Sequence, residues 1–172
     1  NVSVEHTDKE KGHIKVMWSK AKELDTSIFK PPYTYKLYRS QGLLANYQLI
    51  ETFFDINDTI YTDSIDLNTV SNNYLYKIEF YSQDLLLGTT SKASSVYLNS
   101  SPTDNMVKLS YSFDVPWSNY NYTIYRLNDN NTWDSLSTTN SQYYEDKDLE
   151  NGKEYCYYVE SIGNYSIDNI MT

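Results

Sequence analysis

The chain has 172 residues, of which 40% are apolar and 22% charged, enough for one medium domain or two small ones. Its 14 Lys and Arg against 23 Asp and Glu leave a formal net charge of −9, which argues against binding to nucleic acid or to an anionic membrane surface. No apolar run approaches the roughly 20 residues that a membrane span needs, so we expect no membrane insertion. The 19 Tyr beside five Gly and four Pro are typical of β-sheet.

The first half of the chain opens with an alternating strand. Residues Ile14–Trp18 place Ile14, Val16 and Trp18 on one face. Ala21–Asp25 fits either one helical turn or a wide loop. A loop then leads into Tyr33–Arg39, which has the pattern Tyr-x-Tyr-x-Leu-Tyr-Arg.

Further strands of this half are Tyr61–Asp63 and Tyr74–Phe80, followed by Ser95–Leu98. Turn-forming residues come next, at Asn99–Pro102. We place a domain boundary there, with a first domain at residues 1–98 and a second at 99–172. So short a joint predicts a stiff or semi-stiff pair.

The second half repeats the first in the same order. Val107–Tyr111 corresponds to the first strand, and Tyr120–Arg126 repeats the pattern as Tyr-x-Tyr-x-Ile-Tyr-Arg. Tyr144–Asp146 and Tyr155–Ser161 match the later strands. The repeat predicts two domains, and short strands between turns predict an all-β chain of two antiparallel immunoglobulin-like β-sandwiches. The predicted turns are Glu10–Gly12, Ser40–Gly42, Asn128–Asn131 and Glu150–Gly152.

The two copies resemble fibronectin type III domains in tandem. The likeness lies in an aromatic residue in the second strand, an aromatic-rich third strand, and a Leu several residues ahead of a Tyr that resembles a tyrosine corner. A buried Tyr hydroxyl needs a partner, which the backbone of the nearby turn offers. The Leu67-to-Tyr74 spacing is one residue longer than that of Leu149 to Tyr155. The implied core residues are Trp18, Tyr35, Tyr74, Tyr111, Tyr122 and Tyr155.

The second copy resembles a narrower group, through Val115–Arg126, Trp133–Leu136 and Tyr155–Val159. It is similar to the fibronectin-III-like repeats of large surface proteins from gliding Bacteroidota. The resemblance implies export by the type IX secretion machinery through a sorting domain outside these residues, and an extracellular or cell-surface location in a Gram-negative bacterium. We therefore read the chain as part of a longer protein, with neighbouring domains of that protein as its partners.

The single cysteine, Cys156, excludes an internal disulfide and a Cys-based zinc site within these residues. The resembling repeats imply that Cys156 forms a disulfide with a residue outside the fragment. An unpaired, partly buried thiol is the alternative.

Three Asp-(Ser/Thr)-aliphatic segments resemble the O-glycosylation motif of Bacteroidota envelope proteins. The implied attachment points are Thr59, Ser64 and Ser135. So short a motif also arises by chance in a chain rich in Asp and Ser.

Neither a metal site nor a catalytic set is predicted. His6 and His13 could approach each other across a hairpin, but no third ligand is suitably spaced, so we expect both to be exposed. Glu145–Asp148 could hold Ca²⁺ weakly, although a solvated turn is the better interpretation. Without a nucleophile, base and acid in a plausible arrangement, we predict no cofactor and no enzymatic activity.

The leading functional hypothesis is a non-catalytic spacer or adhesion module of a large secreted or cell-surface protein. The rival is a module that binds surface polysaccharide or protein, through the loop Lys22–Pro32 or through outward tyrosines. A third hypothesis is that the chain is an accessory module of a secreted hydrolase. Outward tyrosines are also ordinary cross-strand partners. The candidate binding-face residues are Tyr38, Tyr81, Tyr125 and Tyr158.

Overall fold

A computed structural model describes residues 1–8, 11–42 and 44–164, and the side chains of His6, Tyr120 and Asn164 are outside the description. The described chain contains strands and no helix, and every strand pair is antiparallel. It divides into two compact units. The first comprises Asn1–Ser95 with Phe113–Pro116, and the second comprises Val96–Ser112 with the described residues from Trp117 onward.

The first unit is built from two sheets. One has the strand order β1-β2-β5, and the other has the order β4-β3-β6-β7 with β8 paired to β6. The strands are β1 (Val2–Asp8), β2 (His13–Trp18), β3 (Tyr33–Gln41), β4 (Gln48–Phe53), β5 (Ile60–Asp63), β6 (Tyr74–Ser82), β7 (Leu85–Thr89) and β8 (Ala93–Ser94).

The second unit repeats this pairing. Its sheets have the orders β9-β10-β13 and β12-β11-β14, so β10 and β11 take the places of β2 and β3. The strands are β9 (Tyr97–Thr103), β10 (Met106–Ser112), β11 (Ser118–Leu127), β12 (Trp133–Thr139), β13 (Tyr143–Lys147) and β14 (Tyr157–Asn164). The predicted fold class is confirmed: both units are antiparallel immunoglobulin-like sandwiches.

Each core follows from alternation along the strands. In β2 the even-numbered residues Ile14, Val16 and Trp18 are buried, while the odd-numbered residues are half-buried. Trp18 meets Tyr35 of the facing sheet edge-on, with ring centroids 6.0 Å apart. In the second unit Tyr111 and Tyr122 make the corresponding contact at 4.9 Å. Aromatic pairs of this geometry add to the stabilisation from burial alone.

The segment Asn99–Pro102, predicted as a turn, instead lies within β9. Pro102 pairs with Val107 of β10. Because β9 pairs with β10 alone among the described strands, the missing N–H of Pro102 removes no ladder bond that an inner strand would need. A proline at this position is therefore compatible with a strand.

The predicted strand Ser95–Leu98 is interrupted at its start. Ser95 and Val96 lie between β8 and β9. The Ser95 N–H donates to the Tyr74 carbonyl at 2.9 Å, and the Ser95 hydroxyl accepts the Tyr74 N–H at 3.1 Å. A side chain that bonds to backbone in this way competes with a regular ladder.

Three of the four predicted turns are present as predicted, and the fourth begins later along the chain than predicted. Asp129–Asn130 and Asn151–Gly152 form turns, as do Lys11 and Gly12, while Glu10 lies outside the described residues. Gly12 has a φ of +65°, and a Cβ there would lie 3.0 Å from the Leu67 carbonyl oxygen. The turn predicted at Ser40–Gly42 begins late, because Ser40 is buried and still pairs with Leu75 in the β3–β6 ladder.

Candidate functional site

A polar triad joins the two sheets of the first unit. The Arg39 guanidinium on β3 donates to both carboxylate oxygens of Asp63 on β5, at 3.0 and 2.9 Å, and to the Ile65 carbonyl at 2.8 Å. The Tyr76 hydroxyl on β6 donates to the same carboxylate at 2.9 Å. Asp63 is fully buried. We call Arg39, Asp63 and Tyr76 the first polar triad.

The second unit contains the same arrangement. Arg126 on β11 donates to the Asp146 carboxylate on β13 at 2.8 Å, and the Tyr157 hydroxyl on β14 donates to it at 2.8 Å. These three residues form the second polar triad. Its members fall within the segments that recur in the sequence, so the repeat encodes the triad as well as the strands.

Both tyrosine corners are present. The Tyr74 hydroxyl accepts the Asn68 N–H at 2.8 Å, and the Tyr155 hydroxyl accepts the Glu150 N–H at 2.9 Å. In each unit the donor is the residue directly after the Leu of the internal repeat, Leu67 or Leu149. The extra residue of the first copy is therefore accommodated between the donor and the tyrosine.

Each corner ring also lies beside the arginine of its triad. The guanidinium of Arg39 is 5.6 Å from the ring centroid of Tyr74, and that of Arg126 is 5.7 Å from that of Tyr155. Both distances lie within the range of a cation–π contact. The arginine thus links the corner to the triad in both units.

The triads keep their hydroxyls protonated. Burial, and then the charge of Asp63, raise the pKa of Tyr76 above its ordinary value. Burial, and then the hydrogen bond to Asp146, raise the pKa of Tyr157. At neutral pH both hydroxyls therefore act as hydrogen-bond donors. In each triad the arginine and aspartate charges pair with each other inside the same unit.

The interpretation of Glu145–Asp148 as a solvated acidic turn is wrong for its first three residues, whereas Asp148 is exposed in a bend after the strand. Residues 145–147 belong to β13, and Asp146 is buried against Arg126 because strand alternation turns it inward. The expectation that His13 is exposed is wrong, because it is half-buried at the start of β2, and the side chain of His6 lies outside the description. No group of three or more His, Cys, Asp or Glu in the described part of the chain is placed to hold a metal ion.

The predicted binding-face tyrosines of the first unit lie among charged side chains. The Lys77 ammonium is 4.8 Å from the ring centroid of Tyr38, and the Lys36 ammonium is 4.2 Å from that of Tyr81. Glu79 pairs with Lys77 at 2.6 Å and accepts the Tyr81 hydroxyl at 2.7 Å. The hydrogen bond to Glu79, and then burial, raise the pKa of Tyr81.

The predicted binding-face tyrosines of the second unit lie in a cluster of aromatic rings. Tyr125 and Tyr158 are cross-strand partners whose rings stack at 4.4 Å with an interplanar angle of 12°. Trp133 meets Tyr158 edge-on at 4.7 Å. Trp133 is 45% exposed and Tyr158 39% exposed. We call Tyr125, Trp133 and Tyr158 the aromatic cluster.

Trp133 was not singled out as a site residue from the sequence. It pairs with Leu127 across the turn at 129–130. A hairpin at that turn pairs Trp133 with Leu127, and Leu127 lies on the same face of β11 as Tyr125, two residues further along. The turn therefore predicts that Trp133 and Tyr125 share a face. Farther from the turn the pairing cannot be counted in this way, because a bulge shifts the β11–β12 register between Ile124 and Tyr125.

The remaining predicted residues are located as follows. Cys156 is a half-buried free thiol directly before β14. Of the three implied glycosylation residues, Ser64 and Ser135 are exposed and Thr59 is half-buried. Ser135 lies directly opposite Tyr125 in the β11–β12 ladder. The implied core residues are buried, apart from half-buried Tyr155.

Comparison with known proteins finds similarity at the level of solved structures. Neither a protein-family model nor a curated protein matches the chain. It is similar to the crystal structure of the chicken CNTN1 FN1–FN3 domains, with a TM-score of 0.46 and 9% identity over 96% of this chain. The match spans 60% of that structure's length. The strand pairing of each unit is that of an antiparallel immunoglobulin-like sandwich. No described helix is long and apolar enough to cross a membrane.

Proposed function

We propose that this protein is a non-catalytic spacer and adhesion tandem of a large protein exported to the surface of a Gram-negative bacterium. The observation that carries the proposal is that the Arg, Asp and Tyr residues repeated in both copies form the polar triads and tyrosine corners. The polar residues that recur in both copies therefore connect the two sheets of each unit. A reactive centre would instead keep charged groups accessible to a substrate.

The export route is the finer part of this proposal. The second copy is similar to repeats of type IX-secreted, gliding-motility-associated proteins, and a sorting domain elsewhere in the parent protein would engage that machinery. Exposed Ser64 and Ser135 are accessible for O-glycosylation, whereas half-buried Thr59 is less so. Half-buried Cys156 would pair with a cysteine outside these residues.

The spacer role is tested by pulling the 172-residue chain from its two ends in an optical trap. We expect two unfolding steps, because each unit closes its own sheets through its own triad. Each step would release about 0.36 nm per unfolded residue. A chain that extends smoothly, as an unfolded coil does, would contradict the spacer role.

The location is tested on intact cells of the organism that encodes the chain. Antibodies against the 172 residues should label unpermeabilised cells or the culture medium, and added protease should remove the label from cells. Deletion of the type IX machinery should retain the protein inside the cell. Label that appears after permeabilisation alone would refute export.

A second candidate function is that of a binding module. The observation that favours it is the exposure of the aromatic cluster on the outer face of the second unit. Accessory service to a secreted hydrolase would use the same face, with the catalytic domain elsewhere in the parent chain.

A further inference from the structure

The outer faces of the two units have the same layout but different chemistry at one central position. In the first unit Lys77 lies between two rings, 4.8 Å from the centroid of Tyr38 and 4.9 Å from that of Tyr47. In the second unit Tyr158 lies between Tyr125 and Trp133. Lys77 pairs with Tyr38 in the ladder as Tyr158 pairs with Tyr125. A charged centre in one unit thus corresponds to an aromatic centre in the other.

The outer face of the second unit carries little charge. The strand pairing places ten described side chains there, and the sole charged one is Glu160, whose carboxylate accepts the Tyr125 hydroxyl at 3.2 Å. Beside the rings lie the hydroxyls of Thr123 and Thr138, 3.1 Å apart. The ten residues are Asn121, Thr123, Tyr125, Leu127, Trp133, Ser135, Thr138, Tyr158, Glu160 and Ile162.

This composition selects against an anionic ligand. A sulfated or carboxylated polymer would need Lys or Arg at the surface, and none of these ten residues is a cation. The outer face of the first unit does carry Lys36 and Lys77, but Lys77 is engaged by Glu79. The ligand that suits the second face is neutral and offers both apolar and hydroxyl surface.

The exposed ring area is small. An aromatic side chain offers about 150–250 Å² when fully covered, so the exposed fractions of Trp133 and Tyr158 leave on the order of 200 Å² for contact. A stable protein–protein interface covers about 800 Å² on each partner. The exposed rings alone would supply about a quarter of that area, and a surface of this size fits a few sugar rings.

We propose that the aromatic cluster is a binding site for a neutral polysaccharide. The C–H groups on one face of a pyranose ring carry partial positive charge and pack against the electron-rich faces of Tyr and Trp rings. The sugar hydroxyls would exchange hydrogen bonds with the Glu160 carboxylate and with the hydroxyls of Thr123, Thr138 and Ser135. This proposal rests on the adhesion role above and supplies its ligand class.

The test compares the full 172-residue chain with two cluster variants. Trp133→Ala removes the most exposed ring, and Tyr158→Lys places at the cluster centre the residue that the first unit has. Tyr143→Ala is the matched control, since Tyr143 is also 45% exposed but lies on β13, in the other sheet of the same unit. Circular dichroism and thermal unfolding establish that each variant is folded.

The probes are neutral polymers (cellulose, xyloglucan, laminarin and chitin oligomers) with alginate and heparin as anionic comparators. Affinity is measured by pull-down and isothermal titration. We expect saturable binding to at least one neutral polymer, about tenfold or more weaker in Trp133→Ala and Tyr158→Lys and unchanged in Tyr143→Ala.

Three results would overturn the site: no binding to any neutral polymer, binding that survives both cluster substitutions, or binding to the anionic polymers alone. Capture of a protein partner without any glycan binding would also overturn it. The cell-surface experiment is independent of these measurements. A chain that is exported but binds no glycan refutes this site alone, whereas a chain retained in the cytoplasm refutes the proposed function.

Discussion

The two buried aspartates differ in how well their partners are shielded from water. The Asp63 side chain is 0% exposed and that of Arg39 is 15% exposed, whereas Asp146 and Arg126 are 8% and 29% exposed. Asp63 also accepts the Ile65 N–H at 3.3 Å. Charges interact more strongly where less water screens them, and an unpaired charge there is more costly. We therefore expect loss of the carboxylate to be more destabilising in the first polar triad than in the second.

Removing the carboxylate should expose this difference. Asp63→Ala should lower the free energy of unfolding by about 3–5 kcal/mol, because it leaves the Arg39 charge without a partner. Asp146→Ala should lower the free energy of unfolding by less, because water can solvate the unpaired charge of Arg126. Urea titration followed by circular dichroism measures both.

A double substitution distinguishes the cost of an unpaired charge from the cost of altered packing. Arg39→Met combined with Asp63→Leu should recover much of the stability that Asp63→Leu alone loses, since no unpaired charge is left. Equal losses for Asp63→Ala and Asp146→Ala, or a double variant no better than the single, would contradict this account.

Among the strands, the two tyrosine corners lie at different positions relative to the starts of β6 and β14. Tyr74 is the first residue of β6, while Tyr155 lies two residues before β14. Both hydroxyls nevertheless accept the N–H of the residue that follows the leucine. The corner therefore depends on where the turn donor lies rather than on a fixed count of residues. Buried Leu149 and half-buried Leu67 hold their turns against the sandwich.

Removing the corner hydroxyls tests this element. Tyr74→Phe and Tyr155→Phe should each lower the free energy of unfolding by about 1 kcal/mol, the usual contribution of one such hydrogen bond. Tyr143→Phe is the control, because its hydroxyl bonds to Glu145 on the exposed surface at 2.9 Å and should contribute less than about 0.5 kcal/mol. A control as costly as the corner variants would show that the corner bonds have no special weight.

At the scale of the whole molecule, the many buried tyrosines make stability sensitive to alkali. Burial raises the pKa of Tyr111 to about 12, from an ordinary value of 10.0, and burial likewise raises the pKa of Tyr76 and of Tyr157. The Tyr111 hydroxyl donates to the Ser141 carbonyl. A tyrosine whose folded pKa is raised holds its proton more tightly in the folded chain than in the unfolded one.

Stability should therefore be fully present below about pH 10 and fall as the pH rises above that value, because the unfolded tyrosines ionise first. Chemical denaturation at pH 8, 9, 10 and 11 measures the slope. Tyr111→Phe should make the decline between pH 10 and 11 less steep, and the double variant Tyr76→Phe with Tyr157→Phe should make it less steep again. A flat profile in the unmodified chain would contradict the prediction.

Most strands and their inward faces are predictable from the order of the amino acids alone. The alternation in Ile14–Trp18 and Val107–Tyr111 fixes which side chains are buried, because successive residues of a strand point to opposite faces. The repeat of Tyr-x-Tyr-x-(Leu/Ile)-Tyr-Arg fixes two equivalent sandwiches. These features are local or repeated, so composition and spacing were sufficient to predict them.

The role of the repeated polar residues depends on how distant strands pack together. Arg39 and Asp63 are 24 positions apart and lie in different sheets, so no local pattern joins them. The same packing turned Asp146 from an expected solvated turn into a buried partner of Arg126. The aromatic cluster likewise depends on the register of three strands and on one bulge, which bring Trp133 against Tyr158. Contacts between distant segments arise from sheet pairing and packing, and a strand pattern does not specify them.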